Sequence, residues 1–129
     1  MVSNSAGLCL STNDLVSHYG GKPANFVDLG GSTIHEQIDT LFNMLNDDEN
    51  VRVIFVNCYG GIMSIEKLVA TLQMNYDFGN ISKPVVFRAK GNGAEAVDRL
   101  AEYCQGRYEL YVEADFDKAC RTAVEVAAQ

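Results

Sequence analysis

Apolar positions along the chain switch between two spacings. Ala24–Leu29 (ANFVDL), Val51–Val56 (VRVIFV) and Pro84–Phe87 (PVVF) are short runs rich in Val, Ile and Phe. Runs of this length, bounded by Gly or Asn, suit strands buried on both faces of a parallel sheet. Tyr108–Val112 (YELYV) alternates more and reads as an edge strand. The segments between have helical length. Thr33–Asn46 puts Ile34, Ile38, Leu41, Phe42 and Leu45 on one face, and Ser64–Tyr76 does the same with Ile65, Leu68, Val69 and Leu72. Ala94–Cys104 and Phe116–Ala127 share that periodicity. A first helix is predicted over Thr12–Tyr19, with Ser11 or Thr12 as N-cap and Gly20-Gly21 ending it.

The order is a helix followed by four strand–helix units. Such alternation predicts a single α/β domain: a three-layer sandwich with right-handed crossovers and a parallel sheet of four to five strands. Only Met1–Leu8 precede the first helix, and Ser3, Asn4, Ser5 and Gly7 make that stretch a poor strand. The first strand is therefore expected to be short or truncated.

Composition narrows the function classes. The 129 residues are 47% hydrophobic, and 17 acidic against 10 basic residues give a net charge of −7. Lys and Arg cluster nowhere, which disfavours nucleic acid and anionic membranes as partners. No apolar run approaches a membrane span, and Met1–Leu10 lacks the features of a secretory signal. Cys9, Cys58, Cys104 and Cys120 are widely spaced, with no pairing that suits zinc. Reduced, mostly buried thiols of an intracellular protein are expected.

Ligands of open parallel sheets sit outside the carboxyl ends of the strands. Three predicted strand ends carry glycines and lead straight into helices: Asp28–Thr33, Asn57–Met63 and Arg88–Gly93. Unpaired N–H groups at a helix start favour a phosphate or carboxylate there, and glycine lets it come close. Gly60-Gly61 is the best candidate, since adjacent glycines after a buried strand imply unusual backbone or close approach. None of the turns matches a dinucleotide or P-loop fingerprint. No catalytic set is visible. His18 and His35 read as surface or capping residues, and Asp47, Asp48 and Glu49 as a solvated loop. No metal-ligand set is found. The chain reads as part of a site.

Taken with their neighbours, the glycine turns resemble those of a known family. Asn4-Ser5-Ala6-Gly7-Leu8 is similar to the NGAGL segment of succinyl-CoA synthetase (succinate–CoA ligase, ADP- or GDP-forming) β subunits. Ser11–Asp14 fits the ATMD that follows. His18–Gly31 looks like HGG-x-PANFLDVGG, Val56–Met63 like VNIFGGIM, and Arg88–Asn92 like an RLEGN-type turn. The match runs in order along nearly the whole chain.

The resemblance implies a flavodoxin-like C-terminal ligase domain covering residues 1–129, without the ATP-grasp part that binds nucleotide and Mg²⁺. In the family this domain packs on an α subunit, as a heterodimer or heterotetramer. The enzyme joins succinate to CoA at the expense of ATP or GTP, a step of the tricarboxylic acid cycle, and passes through a phosphohistidine of the α subunit. CoA is held mainly by that subunit. The substrate contacts shared with it carry over to Asn4, Gly61, Ile62 and Met63, and the phosphate-facing turn to Gly60, Gly61 and Ser64. No catalytic residue, metal or cofactor site falls in this chain, which is expected to be inactive alone. The family's Arg after GGIM is Ser64 here, the glycine turn at Gly30-Gly31 is one residue shorter, and NGAGL has become NSAGL. These departures bear on which four-carbon acid is taken, succinate or a relative such as malate. The resemblance also implies that Met1 is not the natural start, and that the compartment is bacterial cytoplasm, a mitochondrion or a mitochondrion-derived organelle. The alternatives are a stand-alone, non-catalytic module that binds the α subunit, and an unrelated flavodoxin-like module that binds a small anion or flavin.

Overall fold

Val27, Val2, Val56, Phe87 and Val112 stand side by side across one sheet, each in register with the next. The computed structural model describes residues 2–3, 14–21, 27–28, 35–59 and 65–129, with the backbone alone at 2, 3, 27, 28 and 35–37. The strands are β1 (Val2–Ser3), β2 (Val27–Asp28), β3 (Ile54–Tyr59), β4 (Val85–Lys90) and β5 (Leu110–Val112). All pair in parallel, in the order β2-β1-β3-β4-β5. The helices are α1 (helical residues 14–18), α2 (His35–Asp47), α3 (Ile65–Asp77), α4 (Glu95–Cys104) and α5 (Phe116–Ala127). This is the predicted α/β architecture, with a first strand of two residues. That short strand lies inside the sheet, between β2 and β3.

Side-chain alternation along the strands builds two apolar layers. Val56, Cys58, Val85 and Phe87 pack with Ile38, Phe42, Leu68 and Leu72 of α2 and α3 and with Val97 and Leu100 of α4. Phe55 and Val86 face the other way, onto Val16 of α1 and Ala119, Cys120, Ala123 and Val126 of α5. The small α5 residues let that helix lie close to the sheet. Asp115 caps α5, its carboxylate accepting the Lys118 N–H at 2.9 Å.

Strand boundaries differ from expectation: β5 begins at Leu110 and not at Tyr108, and β3 and β4 differ more. The run Val51–Val56 was expected to be the strand, but the ladder occupies Ile54–Tyr59. Val51 is buried in the core, yet its N–H closes a turn onto the Asp48 carbonyl, 3.1 Å away. Apolar character reports burial there and not ladder membership. Likewise β4 runs on through Arg88, Ala89 and Lys90, which the sequence assigns to a turn. Hydrogen bonding of the Arg88 guanidinium makes this possible, as described below.

The expected end of α1 is observed. Gly20 takes a φ of +86°, which only glycine adopts without strain, and its N–H reaches Ser17 O at 3.0 Å. A Cβ on Gly21 would stand 2.8 Å from Val124 Cγ2 and 2.9 Å from Val16 Cγ1. The first glycine turns the chain, and the second lets it pass against α5. Tyr19 completes this junction by donating its hydroxyl to Asp117, which also pairs with Arg121 at 2.9 Å. Ser11 and Thr12, the proposed caps of α1, lie outside the described residues.

Cys58, Cys104 and Cys120 are buried, and Cys9 lies outside the described residues. Desolvation raises the Cys104 thiol and, with Asp117, pushes the Cys120 thiol up to about 12. Burial also raises the Tyr76 hydroxyl. All three groups hold their proton more firmly folded than unfolded. Their contribution to stability is intact below the ordinary thiol value of 9.0. It is lost as pH rises through that value and past the ordinary tyrosine value of 10.0. The Tm followed by circular dichroism should hold steady through neutral pH and fall from about pH 9 upward. A Tm unchanged to about pH 11 would contradict this account.

Candidate functional site

The reversal in strand order falls between β1 and β3, the usual place for a ligand in such a sheet. Ser3 and Asn57 are direct neighbours in register there, with strand axes about 4.8 Å apart. Each is at or near the carboxyl end of its strand. Asn4 follows β1 immediately, and Gly60, Gly61, Ile62, Met63 and Ser64 connect β3 to α3. These six sequence-derived site residues lie outside the described residues, as do Gly30 and Gly31. Their anchors are described: the sheet brings together the strand ends from which Asn4 and the Gly60-Gly61 turn depart.

The residues that follow that segment are described from Ile65 onward. Ile65, the first residue of α3, is buried in the core, and Glu66 beside it is exposed. Gly93, in the turn after β4, has φ +88°. A Cβ there would lie 3.5 Å from Ile65 Cβ and 3.6 Å from Glu66 Cγ. The β4–α4 turn therefore rests on the first turn of α3. At the rim, Tyr59 and Lys90 pair in register at the ends of β3 and β4, and both are exposed.

Beneath this rim the sheet changes character in one step. The row Val27, Val2, Val56, Phe87 and Val112 is wholly apolar. One residue further on, the aligned positions are Asp28, Ser3, Asn57 and Arg88. Asn57 and Arg88 are both buried. Arg88 Nη1 donates to Asn57 Oδ1 at 3.0 Å, and its Nε donates to the Ala114 carbonyl at 3.2 Å. Its guanidinium carbon stands 5.3 Å from the centre of the Phe116 ring. One side chain thus ties β4 to β3 and to the start of α5. The sequence reading placed these residues at the start of two glycine-bearing turns and gave the pair no role of its own. The available signal was period two: Phe55, Asn57 and Tyr59 share a face, as do Val86, Arg88 and Lys90.

The residues set aside earlier stay outside this area. His18 is exposed on α1 and makes an edge contact with Tyr19, their ring centres 5.3 Å apart. The His35 side chain lies outside the described residues. Asp48 accepts the Asn50 N–H in the α2–β3 loop. Among the described residues, no group of three or more His, Cys, Asp or Glu is placed to hold a metal, and no helix is long and apolar enough to cross a membrane.

The CoA-ligase family model matches residues 2–108. The chain is 41% identical over 92 residues to the succinate–CoA ligase (ADP-forming) subunit beta of Francisella tularensis subsp. tularensis (strain FSC 198). It is 40% identical over 92 residues to the protein of that name from Francisella tularensis subsp. novicida (strain U112). Each match covers 71% of this chain and 24% of the relative, so the chain spans about a quarter of the length of these proteins. In fold it is similar to the crystal structure of PH0766 from Pyrococcus horikoshii OT3, with a TM-score of 0.71 and 18% identity. That likeness covers 98% of this chain and 35% of the other.

Proposed function

The chain belongs to the CoA-ligase family, and from that premise we propose that it is the C-terminal ligase domain of a succinate–CoA ligase β subunit. The observation that carries this reading is the pairing of Val2–Ser3 with Val56–Asn57 at the reversal in strand order. It brings together the strand ends after which the sequence continues to Asn4 and to Gly60-Gly61-Ile62-Met63, the positions on which the family's shared substrate contacts fall.

In this reading the domain packs on an α subunit and completes a site for succinate and a phosphohistidine carried by that subunit. The reaction joins succinate to CoA with breakdown of ATP or GTP to the diphosphate and phosphate, as in the tricarboxylic acid cycle. This chain supplies no group that reacts. Backbone N–H groups of Gly60, Gly61 and Ser64, at the start of α3, stabilise negative charge through the partial positive charge of the helix end. The Asn4 amide and the backbone of Gly61, Ile62 and Met63 orient the substrate carboxylate. CoA is held by the α subunit. Nucleotide and Mg²⁺ belong to an ATP-grasp part. The assembly works in an intracellular compartment, either bacterial cytoplasm or a mitochondrial-type organelle.

The test is reconstitution. The chain alone is expected to give no succinate- and CoA-dependent release of ADP or GDP. The full β subunit with its α subunit is expected to give it. Turnover by the chain alone, or none by the assembly, would overturn the reading.

A further inference from the structure

We propose that the outer edge of β5 is a docking edge: it takes an extended segment of a partner protein as a further strand, one that carries Lys or Arg at two positions four residues apart.

Three observations carry the inference. First, β5 is the last strand of the sheet, and its neighbour is β4. The Glu109 carbonyl accepts the Val85 N–H at 3.1 Å, and the Glu113 N–H donates to the Phe87 carbonyl at 3.2 Å. Backbone groups alternate sides along a strand, so those of Glu109, Tyr111 and Glu113 face β4. The N–H and C=O of Leu110 and Val112 therefore point outward, and among the described residues no strand pairs with them.

Second, the edge is open to a partner. Residues 109–113 contain no Lys, Pro or Gly, the register with β4 is unbroken, and Val112 is 36% exposed. Unpaired backbone groups on an exposed edge are a template for strand addition.

Third, charge selects the occupant. Glu109 and Glu113 flank the strand, about 13 Å apart along it. Each carboxylate has a neutral partner, the Tyr111 hydroxyl for Glu109 and the Asp115 N–H for Glu113, and among the described residues neither is ion-paired. From Tyr108 to Asp117 the chain has four acidic residues and no basic one. Arg107, which precedes them, lies over the Tyr103 ring, 5.1 Å from its centre. A second copy of the chain fits poorly. Antiparallel pairing that uses all four outward groups sets Leu110 of one copy opposite Val112 of the other. It also sets Glu109 opposite Glu113, twice over, and like charges directly opposite are destabilising. The glutamates thus guard the edge against like-charged strands. Lys or Arg at those two positions, with β-branched residues opposite Leu110 and Val112, turns both repulsions into attractions.

The test is an NMR titration of the isotope-labelled 129-residue chain with a soluble peptide containing Lys-Val-Thr-Val-Lys, against its counterpart containing Glu-Val-Thr-Val-Glu. At low salt the basic peptide should shift the Leu110 and Val112 amide signals and slow their hydrogen exchange. The Tyr111 amide, which already faces β4, should keep the protection it has in the free chain. The acidic peptide should bind at least about tenfold more weakly. Glu109→Gln combined with Glu113→Gln should cut that preference below about threefold, with Tm unchanged. Absence of binding, equal binding of the two peptides, shifts centred away from β5, or a preference that survives in the double variant overturns the inference. So does self-association of the unmodified chain through Leu110 and Val112, which would make a second copy the occupant.

Discussion

Phe87→Ala is expected to lower the unfolding free energy by about 3–5 kcal/mol. Phe87 is fully buried in β4, between Val56 on one side and Val112 on the other. It points into the layer formed with α2, α3 and α4. Truncation removes its transfer free energy and leaves a cavity that two-sided packing prevents from closing. Domains of this size have only about 5–15 kcal/mol in total, so the variant should be marginal. Met44→Ala, at a position 65% exposed on α2, is the matched control and should change stability by less than about 0.5 kcal/mol. Urea denaturation read by circular dichroism measures both. A loss below about 1 kcal/mol for Phe87→Ala would show that the sheet is not packed as described.

Asn75→Leu should cost about 1–3 kcal/mol although it adds apolar surface at a buried position. Asn75 is completely buried on α3, and its amide joins α3 to α2. Nδ2 donates to Asp39 Oδ1 at 2.8 Å and to the Thr71 carbonyl at 2.9 Å. Its Oδ1 accepts from Asn80 Nδ2 at 3.2 Å, and its carbonyl accepts the Asn80 N–H at 2.9 Å. Leucine fills the space but leaves the Asp39 carboxylate facing an apolar side chain and the Asn80 amide without this acceptor. The penalty for stranding partners exceeds the gain from a buried methyl group. The same denaturation experiment decides it, and an unchanged or raised midpoint would remove the amide from the list of groups joining α2 to α3.

Much of the fold was legible because the sheet is parallel and covered on both faces. Such strands read as continuous apolar runs, and the helices between them as 3.6-periodic stripes. Phe116–Ala127 was predicted at the bounds observed from its i, i+3, i+4 periodicity, and the structure adds Asp115 as its cap. The strand ends were harder. Val51 and Val53 are apolar because they pack against the core before the ladder begins, while Asn57, Arg88 and Lys90 are polar although they belong to it. A pattern of apolar residues marks what is buried, and a buried arginine satisfied by an asparagine and a carbonyl breaks that pattern.

The candidate site divides along the same line. Glycine turns at strand ends and the family resemblance marked Asn4 and Gly60–Ser64, and the sheet brings together the strand ends that carry them. The contact between Asn57 of β3 and Arg88 of β4 was not legible from motifs. It depends on register between β3 and β4, a relation between residues 31 positions apart in the chain.

The most direct test of the central claim, that this chain is the ligase domain of a β subunit, is the mass of the native gene product in its source cells, detected by antibody on a denaturing gel. The matched 92 residues are 24% of the relatives' length, so the account predicts a band at about three times the 14.1 kDa of this chain. A band at 14.1 kDa would contradict it and identify instead a stand-alone module, whose binding to an α subunit would then be sought by pull-down.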